Sequence, residues 1–264
     1  MIRATNLVLA AAAALLLVAC GGSSDDQKPS VNSMAATPAA YGRTAVWSIS
    51  GLNLDKGIVF VITAGSCDSV TEVPGGTAFQ RQFSCRPSAL GELIGQVNAA
   101  GGDRLASLRV IIPTPVVQLS LSQGTINLEL DPEKAPISVN NFLNYVNSNF
   151  YNNTIFHRVI ADFVIQGGGY TPGTTNPTAK APTQPAIALE SNNGLTNLRG
   201  TLAMARTSDP NSGGSQFYIV KQDTSWLDRQ YTVFGQTIEG MDVVKKLVQG
   251  DVMKTVTIDE EPPK

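Results

Sequence analysis

Apolar residues in the second half of the chain recur with two distinct periods. Residues 116–121 and 125–130 alternate apolar and polar side chains, and Gln123-Gly124 between them has turn chemistry, so the pair predicts a β-hairpin. Asp131-Pro132 ends the second strand, and Pro136 suits the first turn of a helix. Val139, Phe142, Leu143, Val146 and Phe150 then follow at helical spacing. Residues 156–165 return to a strand pattern that Gly167-Gly168-Gly169 breaks. A second helix is expected over 241–248, where Val243, Val244, Leu247 and Val248 share one face. This half is mostly strands with two helices, and its strands need a closed or covered arrangement to avoid exposed edges.

The first half reads differently. Residues 45–49 and 57–63 are short β-type runs bounded by Gly, Asn and Asp; residues 79–85 alternate with a period of two, and 105–112 is a further strand candidate. Closely spaced short strands suggest a small β-sandwich, Ig-like in type, over 41–113. No catalytic constellation falls in it, which leaves a spacer or a binding module. Pro113-Thr114-Pro115 marks a stiff boundary. Residues 21–40 are rich in Gly, Ser, Asp, Pro and Ala, lack apolar periodicity, and read as a flexible tether.

The extreme N-terminus bears on where the protein goes. Arg3 precedes an unbroken apolar run over 7–19, short for a bilayer span. One reading is a secretory signal peptide cleaved after Ala19. The sharper one is a lipoprotein signal, because Leu17-Val18-Ala19-Cys20 resembles a bacterial lipobox, with Cys20 becoming the acylated N-terminus. More than one acyl chain anchors stably, and Gly21 after the cysteine resembles outer-membrane sorting, facing the periplasm. Cys67 and Cys85, 18 residues apart in a disulfide-permissive compartment, read as a disulfide, with two buried free thiols as the alternative. There is one histidine and no Cys-x-x-Cys, so neither metal nor cofactor is expected. At 42% apolar and 15% charged residues the composition is globular. A net charge of −2 with no basic block argues against nucleic acid.

Three blocks carry chemistry. The first is Phe156-His157-Arg158-Val159-Ile160-Ala161-Asp162-Phe163-Val164-Ile165-Gln166-Gly167-Gly168. The second runs from Gly200-Thr201-Leu202-Ala203-Met204-Ala205-Arg206-Thr207 to Asn211-Ser212-Gly213-Gly214-Ser215-Gln216-Phe217-Tyr218-Ile219. The third is Trp226-Leu227-Asp228 through Tyr231 to Val233-Phe234-Gly235. In order and spacing they resemble the cyclophilin-type peptidyl-prolyl cis-trans isomerases, over roughly 116–260. The resemblance implies an eight-stranded antiparallel β-barrel capped by two helices, with a shallow groove on its outside for extended proline-containing peptides. The chain is then organised as signal peptide 1–19, lipidated cysteine and tether 20–40, accessory domain 41–113 and isomerase domain 116–260.

These residue types suit the reaction. An X-Pro bond has little preference between isomers but a barrier of about 18–20 kcal/mol from lost amide resonance. No bond must break, so a catalyst needs only to favour the twisted amide. The resemblance places Arg158 beside the prolyl nitrogen, Gln166 as the residue holding it, and Phe163, Tyr218 and Leu227 around the proline ring. It places Ala205, Arg206, Thr207 and Gln216 against the substrate backbone, His157 and Tyr231 beside the groove, and Trp226 at a pocket edge tied to cyclosporin binding. Against the family pattern, Val164 stands for Met, Tyr218 for Phe, and Tyr231 for the His of many eukaryotic members. The implied partners are unfolded or partly folded exported chains. The rival reading is a proline-peptide-binding chaperone or scaffold with little turnover; a hydrolase or redox enzyme is disfavoured for want of a nucleophile motif.

Overall fold

A computed structural model of the chain describes residues 28–259. Before Pro113 lie β1 (Ser30–Thr37), β2 (Ala45–Leu52), β3 (Ile58–Ala64), β4 (Thr71–Glu72), β5 (Gln80–Cys85), β6 (Gly91–Ala99) and β7 (Arg104–Ile112). They form two antiparallel sheets of order β1-β2-β5-β4 and β3-β6-β7. That is the strand order of a constant-type immunoglobulin sandwich. Alternation along β2 turns Ala45, Trp47 and Ile49 inward. Phe60 of the facing sheet meets Trp47 at a ring-centroid distance of 5.2 Å and Phe83 at 5.0 Å. Gly95 lets the sheets approach, since a Cβ there would lie 2.5 Å from the Trp47 ring. Cys67 is disulfide-bonded to Cys85.

One boundary moves. Ser30–Thr37, expected within the flexible tether, is an edge strand paired with β2. Its polar and small residues hid the alternation, and only Val31, Met34 and Ala36 pack on the core. The ordered sandwich therefore begins near residue 30 rather than 41.

After Thr114 come β8 (Val116–Leu121), β9 (Gly124–Leu130), α1 (Pro136–Asn147), β10 (Thr154–Val159), β11 (Val164–Gly167), β12 (Tyr170–Thr171) and β13 (Thr178–Ala179). They are followed by β14 (Thr201–Met204), β15 (Phe217–Val220), β16 (Val233–Glu239), α2 (Met241–Lys246), β17 (Val252–Met253) and β18 (Thr255–Ile258). One sheet runs β17-β10-β11-β15-β14-β16-β9-β8-β18. Its two ends, β17 and β18, flank the single residue Lys254. Taken as one bent strand they close an eight-stranded barrel, pairing with β10 on one side and β8 on the other.

The expected strand over 156–165 is two strands, reversed by a turn in which Asp162 takes φ 52°. The second helix stops at Lys246, although Leu247 beyond it is still buried. At the start of α1, Ala135 offers no capping side chain. Glu190 replaces it from a distant loop, accepting the Ile137 and Ser138 backbone N–H groups at 2.9 and 2.8 Å. Phe142 of α1 then packs on Phe217 and Phe234 of the barrel. The sandwich meets the same helix: Arg86 donates to Asn144 Oδ1 at 2.9 Å, and Asn147 to the Gly42 carbonyl at 3.4 Å.

Candidate active site

Two apolar clusters use opposite faces of the same strands. Phe156, Ile165, Leu202, Phe217 and Ile219 point into the barrel. Their alternates Val164, Ala203, Tyr218, Val220 and Val233 form a separate cluster on the outside, over which Phe163, Leu195, Ala205, Leu227 and Tyr231 pack. A surface with an apolar floor of its own is what a binding groove on a barrel wall requires.

Register sets the polar wall. Gln166 is paired with Arg158 on one side and with Tyr218 on the other, and Tyr218 with Ala203. Strict alternation from inward Phe156 would aim Arg158 into the core. A bulge between Phe156 and Arg158 inserts His157 and turns the arginine outward, beside Gln166. Arg158 Nη1 donates to Gln166 Oε1 at 3.3 Å, and Gln166 Nε2 donates to Gln216 Oε1 at 2.9 Å. Among the described residues Arg158 makes no ion pair. Its guanidinium lies 5.8 Å from the Phe163 ring centroid, with donors left for a ligand.

Arg158, Phe163, Val164, Gln166, Ala205, Arg206, Tyr218, Leu227 and Tyr231 line one pocket of about 190 Å³. A neighbouring pocket of about 260 Å³ shares Gln166, Ala205 and Arg206 and adds Thr207, Gln216, Lys180 and Pro182. Arg206 stacks over Tyr231 at 4.6 Å and is held by the Gln230 and Thr207 carbonyls. Trp226 lines neither pocket; it is 61% exposed and stacks on Phe163 at the rim, centroids 5.9 Å apart. His157 also lines neither, resting against Tyr170 with ring centroids 4.5 Å apart. Burial, and then the Arg158 charge, hold its pKa below the usual histidine value.

Tyr218 departs from the family pattern by a hydroxyl, and the structure shows what satisfies it. The phenol donates to Asn197 Oδ1 at 2.8 Å, and Asn197 is fixed by Asp228, which accepts its backbone and side-chain N–H groups at 2.6 and 3.0 Å. Burial pushes the Tyr218 pKa far up, so the group stays a neutral donor. Asn197 is absent from the three motif blocks, and Asp228 stands in the third with no role assigned to it. The signal was present: a tyrosine at an apolar pocket position needs an acceptor.

The fold and groove define a cyclophilin-like isomerase barrel. The model of the family described as "Cyclophilin type peptidyl-prolyl cis-trans isomerase/CLD" matches residues 116–263. "Peptidyl-prolyl cis-trans isomerase" of Acinetobacter baylyi is 50% identical over 151 residues, 55% of this chain and 78% of that protein. "Peptidyl-prolyl cis-trans isomerase A" of Dickeya dadantii is 49% identical over 138 residues, 50% of this chain and 70% of that protein. A crystal structure of a cyclophilin type isomerase from Cryptosporidium parvum is 28% identical, covering 56% of this chain and 99% of its own, with a TM-score of 0.49. The chain belongs to the cyclophilin type peptidyl-prolyl cis-trans isomerase family, and the activity of its barrel domain is peptidyl-prolyl cis-trans isomerisation.

Proposed function

We propose that the groove turns X-Pro bonds of exported polypeptides, with Arg158 acting on the twisted amide. The observation that carries this reading is Arg158, which makes no ion pair among the described residues and is held by Gln166 in the pocket it lines with Phe163, Tyr218 and Leu227. The proline ring sits on the apolar floor while the preceding carbonyl rotates. Twisting localises a lone pair on the prolyl nitrogen, and the arginine donates to it more strongly than to the planar amide. The planar fork reaches a neighbouring carbonyl as well. A 10⁵-fold acceleration needs about 7 kcal/mol of such preference. Gln216 and the backbone around Ala205–Thr207 hold the substrate chain, and Trp226 at the rim is the element that would meet cyclosporin.

The anchoring proposal rests on Cys20 and the apolar run before it, which lie outside the described residues. An acylated Cys20 would hold the enzyme at the periplasmic face of a bacterial outer membrane, where newly exported chains fold.

The test is isomerisation of a short X-Pro peptide by the intact protein and by Arg158→Ala. Removing one donor aimed at the reacting atoms should lower kcat/KM by about 10²–10³. A folded protein that accelerates nothing would favour the chaperone reading instead.

A further inference from the structure

The two ends of the sandwich differ. The Gly42 and Arg86 loops occupy the end that meets α1 of the barrel. At the opposite end the chain enters: Ser30 is in register with Leu52, and Asn53 Nδ2 donates to the Lys28 carbonyl at 3.5 Å. The loops after β2, before β5 and between β6 and β7 gather there. Gly51 N–H donates to the Phe79 carbonyl at 3.0 Å, and Ile58 is paired with Ala99. Leu52, Val59 and Phe79 stand at this end, 50%, 49% and 63% exposed. Of the five large apolar side chains exposed in the sandwich, these are three; Val70 and Ile111 lie elsewhere. Single exposed apolar residues are ordinary on a protein surface; these three surround the one end at which the chain enters.

From this placement we infer that the Leu52–Phe79 tip rests on the lipid surface, and that the sandwich is a spacer holding the catalytic groove clear of it. The inference rests on the acylation of Cys20. Cys20 is eight residues before Lys28, a reach of at most about 29 Å. The chain therefore enters the sandwich close to the bilayer, and it enters at the apolar tip. A bare acyl anchor leaves the domain free to tumble; apolar side chains entering the headgroup region fix its orientation. The eight residues of β2 run from that tip toward the barrel, a standoff of about 26 Å. Arg158 and its groove then face the aqueous side, open to a passing chain.

Native tryptophans make the test direct, because Trp47 is buried in the sandwich and Trp226 is exposed at the groove. The acylated full chain and its Phe79→Trp variant are reconstituted into phosphatidylcholine vesicles with and without brominated acyl chains. Flotation and N-terminal mass are read on the same samples. The expected result is that both proteins float, the parent emission is unchanged by bromine, and the added tryptophan loses most of its emission. Leu52→Trp serves as a second reporter, and a calorimetric transition of the sandwich unchanged from the parent shows that either variant is folded. Floating protein with unquenched tip tryptophans, or with a quenched Trp226, overturns the orientation while sparing the anchor. Protein that carries an unmodified Cys20 and does not float overturns both.

Discussion

At the scale of single residues, the arginine proposed to act on the twisted amide depends on its neighbours for direction rather than for charge. Arg158 is free of ion pairs among the described residues, so its charge is available to a ligand, and Gln166 fixes where the fork points. Gln166 is itself held by Gln216, which makes a relay of three side chains across the groove. Tyr218 shows how a polar departure is absorbed. Its hydroxyl is directed to buried Asn197, leaving the ring to line the pocket. Tyr218→Phe leaves the Asn197 oxygen without its donor. It should therefore lower stability by about 1–3 kcal/mol while changing catalysis little. Denaturant unfolding measured beside isomerisation checks both halves.

At the scale of elements, two local devices decide the outcome. The bulge in β10 places one extra residue, His157, and thereby puts Phe156 in the core and Arg158 on the wall. A strand of the same composition without it would present the arginine to the barrel interior, where an unpaired charge is costly. The second device is Gly95 in β6, over which Trp47 and Phe60 close the sandwich. Gly95→Ala would overpack that contact at a cost of about 1–3 kcal/mol. Calorimetry should show the cost in the sandwich, and the isomerase rate should stay as it was, because Gly95 is remote from every groove residue.

At the scale of the whole molecule, the buried apolar residues of the two halves, Tyr41 and Leu143 included, join in one continuous core, while the groove has its own apolar cluster and the family model aligns with the barrel rather than with the sandwich. Residues 114–264 alone should accordingly fold and keep isomerase activity against a short peptide. If the rate instead collapses, the polar contacts from Arg86 and Gly42 to α1 are needed to hold the barrel, and the spacer is part of the enzyme. Among the described residues the closed barrel has no long free edge.

Much of this protein is decided locally and could be read from the chain. Alternation marked β8, β9 and β5, helical spacing marked α1, and three motif blocks in order carried the family and most groove residues, Arg158, Phe163, Gln166, Tyr218 and Leu227 among them. Other features arise only when distant segments meet. β1 is a strand because β2 offers its edge, although its own residues are small and polar. Glu190 caps a helix more than fifty residues earlier in the chain, and Asn197 with Asp228 completes Tyr218. Trp226, expected at a pocket edge, stacks on Phe163 at the rim, whereas His157, expected beside the groove, rests against Tyr170 outside both pockets. Periodicity records which face of a segment is apolar. It does not record which partner, hydrogen-bonding or aromatic, arrives from elsewhere in the chain, and that partner decided each of these positions.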